Sequence, residues 1–153
     1  MRRIADALHA IAVTLWVGGM WTIGFVVAPV LFARLPERTL AGLIAGKFFT
    51  LVAYIGIVCA AYLLLYRLTR FGAAGLRHGV FWIVLLMLAL VLAGEFGVQP
   101  ILASLKTQAL PREVMESVLR DRFSTWHGVA SVLYVIQSVL GLVLVLLQHR
   151  GLK

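Results

Sequence analysis

The chain has 153 residues, 62% of them hydrophobic and only 13% charged, with a formal net charge of +8. Soluble domains carry about 25% charged residues, so composition excludes an ordinary soluble domain and leaves an integral membrane protein, a single transmembrane domain over 1–153. The basic excess does not point to nucleic acid: Lys and Arg sit at the ends of apolar runs rather than in a stripe, the pattern of headgroup contacts and topology signals.

Four apolar runs, 7–33, 48–66, 79–105 and 126–148, reach about the 20 residues that a helix needs to cross the hydrocarbon layer. None shows the alternation of a barrel strand, and backbone groups in lipid must be satisfied internally, so the expected fold is all-α, an integral membrane four-helix bundle. The N-terminal Met1-Arg2-Arg3 imitates a signal peptide, but the charge-free run that follows is far longer than a signal core of about 7–15 residues. It is expected to stay as the first span.

That span, 7–33, must tilt, bend near Pro29 or protrude. His9 and Trp16 share one of its faces, Trp16 is expected in the core, and Gly18-Gly19 thins the helix for close packing. Pro36-Glu37-Arg38 reads as a helix start, so the second helix is expected to begin outside the membrane and cross it over about 41–66. Gly42 and Gly46 form a small-xxx-small pair within it. Cys59, the single cysteine, allows neither an internal disulfide nor a thiolate cluster.

The third span, 79–105, carries Glu95 in what the run places as its outer third, with Gln99 one turn on. A carboxylate in an apolar span marks a partnered or a functional site. Between the third and fourth spans, Val114, Met115, Val118, Leu119 and Phe123 fall on one face of the segment 111–123, and an amphipathic helix in the interface is expected there. No internal repeat is seen.

Four spans put both termini on one side. Arg2, Arg3, Arg67, Arg70, Arg77, Arg150 and Lys153 on that side balance Arg34, Arg38, Lys47, Lys106, Arg112, Arg120 and Arg122 on the other. Acidic residues favour the second set, so a bacterial-type inner membrane with cytoplasmic termini is expected.

Depth sorts the polar residues. Lys47 and Tyr54 share a helix face, as do His127 and Tyr134, and as do Glu95 and Gln99. These six are the expected ligand-binding residues, converging on an outer-leaflet pocket around Glu95. His9, His78 and His149, near the other surface, are the candidate metal ligands. His9 and His127 lie a bilayer apart and do not clamp one haem. No nucleophile–base pair or phosphate loop is found, so no catalytic residue is assigned.

The order Leu8-His9, Leu15-Trp16-Val17-Gly18-Gly19, Val27-Ala28-Pro29-Val30-Leu31-Phe32, then Ala41-Gly42, Gly46-Lys47-Phe48-Phe49, Pro100-Ile101, and Phe123, His127-Gly128 and Gln137 resembles the transmembrane protein 205-like family, a four-span family of unknown function. The opening is also similar to that of the copper-resistance protein D family, though this chain is shorter and lacks a methionine- or histidine-rich outer segment. The resemblance implies a four-helix membrane bundle loosely associated with tolerance to toxic metals. It supplies no match for Glu95.

The expected function is therefore non-enzymatic binding or movement of a small cation or solute at Glu95, without a cofactor. The alternatives are a redox protein carrying haem b or contacting quinone, and an assembly partner of a larger membrane complex. A homodimer is compatible with either.

Overall fold

The structure, a computed structural model, describes residues 2–109 and 114–150, without the side chains of Arg2, Glu116, His149 and Arg150. It comprises α1 (Arg2–Thr22), a π-helical segment Ile23–Val27, α2 (Ala28–Arg34), α3 (Arg38–Phe71), a 3-10 segment Gly72–Arg77, α4 (Gly79–Leu92), a second π-helical segment Ala93–Val98, α5 (Gln99–Ala109), a 3-10 turn Val114–Glu116 and α6 (Arg120–Arg150). Among the described residues four helices are long and apolar enough to span a membrane: Arg3–Arg34, Arg38–Arg77, Gly79–Ala109 and Arg120–Gln148. The protein is a multi-pass membrane four-helix bundle.

Each span packs against two neighbours, first on second, second on third, third on fourth and fourth on first. The first and third spans therefore lie on a diagonal. The core joins Val13, Trp16, Val17 and Met20 to Val52, Cys59, Ala60 and Leu63, to Val84, Met87 and Val91, and to Leu144. Trp16 is 1% exposed, as its place at the middle of the first span requires of a side chain that otherwise prefers the headgroup belt. Room for its indole comes from Gly56, where an added Cβ would stand 2.9 Å from Cδ1. The outward faces carry Leu15, Val58, Leu65, Phe96 and Val132, all exposed, as lipid in place of water allows.

The small residues divide. Gly19 packs on Val52 and Gly42 lies near Phe32, whereas Gly18 and Gly46 have open space. At the end of α3 the chain turns through Gly72, whose φ of 55° lies in the left-handed region that favours glycine.

Two expectations need correction. The amphipathic helix expected over 111–123 is not a continuous helix. Residues 110–113 lie outside the described residues, Val114–Glu116 is a 3-10 turn, and Phe123 already belongs to α6. Its apolar row nevertheless includes Val118, which is 99% exposed.

The second correction is an internal repeat. Ile23-Gly24-Phe25-Val26-Val27-Ala28-Pro29 and Gly94-Glu95-Phe96-Gly97-Val98-Gln99-Pro100 share Phe, Val and Pro at equal spacing, and both contain a π-helical segment. In each, a backbone N–H reaches five residues back, Ala28 to Ile23 and Gln99 to Gly94. The proline explains the widened turn. Its ring would collide with the carbonyl four residues earlier, that of Phe25 or Phe96, and it has no N–H to offer that carbonyl. One extra residue in the turn relieves the crowding without breaking the helix. The correspondence continues inward, with Val13, Trp16 and Met20 buried in the first span at the places of Val84, Met87 and Val91 in the third. Uniformly apolar helices hid this repeat, because Leu and Val match one another everywhere.

Candidate functional site

Glu95 lies in the second π-helical segment, at the centre of the helix Gly79–Ala109. The helix continues past Leu105 to Ala109, so the carboxylate is central to the helix. One widened turn after buried Val91 and one turn before buried Val98, it falls in the inward row of its span, and it is half-buried. The segment packs against both α4 and α6. Among the described residues Glu95 has no hydrogen bond and no ion pair. A charge placed at the centre of a membrane helix costs about 3 kcal/mol even on the mildest insertion scale.

The equivalent place in the first span is occupied differently. Gly24 stands where Glu95 stands in the third, and the Tyr134 ring from α6 fills the space a side chain would take. A Cβ added to Gly24 would lie 2.8 Å from the phenol oxygen and 2.9 Å from Cζ. The Tyr134 hydroxyl donates to the Met20 carbonyl, one turn before the place of Gly24. Phe25 at 6.5 Å and Phe49 at 5.1 Å flank the ring edge-on. Nearby, Trp21 Nε1 donates to the Ser138 carbonyl at 3.3 Å, and Ser138 Oγ donates to the Tyr134 carbonyl at 2.8 Å. One π segment is thus stoppered by a tyrosine and the other carries an acid without a partner among the described residues.

The remaining candidates lie apart. Tyr54 points outward, 50% exposed, edge-on to Phe96 at 6.4 Å, and lines an apolar groove of about 300 Å³ with Leu15, Leu51, Ile55, Val58 and Cys59. Lys47 is exposed seven residues before Tyr54, about 10 Å farther along the axis at 1.5 Å per residue. His127 is exposed and stacks on Phe123, centroids 5.8 Å apart and planes 10° apart, while the Lys106 ammonium sits 5.8 Å from the other ring contact's centre, that of the same Phe123. Gln99 is half-buried on the helix of Glu95. Glu95 forms no hydrogen bond or ion pair with Lys47, Tyr54, His127 or Tyr134.

Of the histidines, His9 lies with its ring 4.8 Å from that of Tyr66, and His78 Nδ1 is 3.0 Å from the Ala74 carbonyl oxygen. The His149 side chain lies outside the described residues. Among the described residues no group of three His, Cys, Asp or Glu side chains is placed to hold a metal ion.

Sequence reasoning missed the two π segments and Gly24; α6 also buries the polar pair Gln137 and Ser138. The signal that reveals them is Phe-x-Val-x-Pro, present twice with different residues ahead of the phenylalanine.

The family described as Domain of unknown function (DUF4149) matches residues 11–111. The match takes in both π segments, Glu95 and Pro100, and ends before the fourth span. The chain belongs to that family. No curated protein and no solved structure matches it.

Proposed function

We propose that this member of the DUF4149 family is a non-enzymatic membrane protein that binds or moves a small cation, a proton included, at Glu95. The observation that carries the reading is a half-buried carboxylate at the centre of an apolar span, in a π-helical turn, with no protein partner among the described residues. π turns within α-helices recur at functional sites, and intramembrane acids facing a bundle interior mark ion pathways. Support also comes from the contrast within the repeat, where the equivalent turn is closed by Tyr134 and has no charge. Gln137, buried on the helix that packs against the Glu95 segment, and Gln99 on the same helix as Glu95 are the neutral polar groups assigned to the cation's remaining coordination.

Lys47, Tyr54 and His127 are assigned to the entry side rather than to the site itself, consistent with their exposure. The resemblance to families associated with metal tolerance favours a cation over an organic solute. We place the protein in a bacterial-type inner membrane with cytoplasmic termini, on the acidic bias of the opposite side. Cofactors are not invoked.

The test is flux. Wild-type protein in liposomes should dissipate an imposed gradient of protons or of a monovalent or divalent cation, and Glu95→Gln should not. Equal flux from the two proteins would refute the reading.

A further inference from the structure

Away from Glu95, chemistry-bearing side chains gather where α1 begins and α3 ends. The Tyr66 hydroxyl donates to Asp6 Oδ1, the Tyr62 hydroxyl donates to the Ala5 carbonyl at 3.1 Å, and His9 packs on the Tyr66 ring. These contacts hold α1 against α3 around a cavity of about 140 Å³ lined by Ala5, Asp6, Tyr66, Thr69 and Arg70. A carboxylate and a guanidinium thus share one small cavity without closing an ion pair on each other. Thr69 donates its hydroxyl proton to the Leu65 and Tyr66 carbonyls, both at 3.0 Å, which leaves its oxygen as an acceptor. Acceptors and donors are therefore segregated, with Asp6 and Thr69 supplying the first and Arg70 the second.

We propose that this cavity binds a primary ammonium joined through a short linker to a phosphate, the phosphoethanolamine group. An acid alone would suit any cation and a base alone any anion. Together in one small space they select a molecule that carries both charges. The guanidinium matches phosphate oxygens bidentately, and a primary ammonium has three protons to give to the carboxylate and the threonine oxygen. A trimethylammonium has none and is bulkier, so the phosphocholine group is disfavoured. Asp6 lies near the start of the first span and Arg70 near the end of the second, which places the cavity at the membrane boundary, the level of lipid headgroups. The ligand's source is either phosphatidylethanolamine itself or a free phosphoethanolamine compound.

The full chain in a non-ionic detergent, titrated with dihexanoyl-phosphatidylethanolamine, dihexanoyl-phosphatidylcholine and free O-phosphoethanolamine and followed by native mass spectrometry and thermal shift, tests this. Ethanolamine lipid should bind about tenfold more tightly than choline lipid. Asp6→Asn, which keeps an acceptor for Tyr66, and Arg70→Gln, at an exposed position, should each weaken it about tenfold. Arg77→Gln, in the following 3-10 segment, should leave it unchanged. Binding of the lipid alone assigns the site to the bilayer, and binding of the free compound as well assigns it to the headgroup by itself; both bear out the chemistry. Equal affinity for the two lipids, or ethanolamine-lipid binding untouched in both Asp6→Asn and Arg70→Gln, overturns it.

Discussion

The Tyr134 hydroxyl crosses from α6 to the Met20 carbonyl of α1, and its ring occupies the space above Gly24. This contact ties the fourth span to the first beside the widened turn. Tyr134→Phe keeps the ring and removes the donor, so it should cost about 1 kcal/mol, measured by reversible unfolding in mixed micelles. Gly24→Ala should cost more, about 2 kcal/mol, because the new methyl meets the ring itself. If the two variants were equally mild, the ring would not be seated on Gly24.

Trp16 and Gly56 make a second close approach, deeper in the core. Gly56→Ala should destabilise by about 2–3 kcal/mol, since the indole is fully buried and has nowhere to retreat. Gly18→Ala and Gly46→Ala face open space and should be neutral or stabilising by up to about 1 kcal/mol through helix propensity. Thermal melting of the three variants checks the order. A large loss at Gly18 or Gly46 would instead show that these faces dock a partner.

Pro100 sustains the turn that presents Glu95. Pro100→Ala restores an N–H for the Phe96 carbonyl and removes the ring that crowds it, so the π-helical turn should relax toward α-helix and rotate Glu95 out of its inward row. Cation flux should fall while the melting temperature holds or rises. Pro29→Ala, in the repeat that carries no acid, should leave flux unchanged. Flux that survived Pro100→Ala would separate the turn from the function.

The architecture was legible in the sequence because hydropathy and length in lipid admit only helices: four runs, their order and the burial of Trp16 all follow from that one constraint. The site was legible only in part. Glu95 stands out as a lone charge, but placing it needed the helix end, and the run stopped at Leu105 because Lys106 follows, whereas the helix continues to Ala109. Facing was the other obstacle. Seven-residue spacing puts Lys47 with Tyr54 and His127 with Tyr134 on shared faces, yet it says nothing about which face turns inward. Tyr54 turns toward lipid, and Tyr134 spends its hydroxyl on Met20. The π turns shift the register by one residue, a change that fixed helical spacing cannot register. The segment 111–123 shows the converse case, in which an amphipathic pattern is present but the described residues 114–123 form a 3-10 turn and then the start of α6.

The central claim is that Glu95 is held for a ligand and not as a tie between helices. Its most direct test is the melting temperature of wild type and Glu95→Gln, each with and without a panel of monovalent and divalent cations and across pH. The account predicts that Glu95→Gln melts at or above the wild-type temperature, since a neutral amide is less costly in the span, and that it loses the stabilisation which mass action gives the wild type at saturating ligand. A Glu95→Gln protein that melts far below wild type, with no cation or pH effect on either, would contradict it.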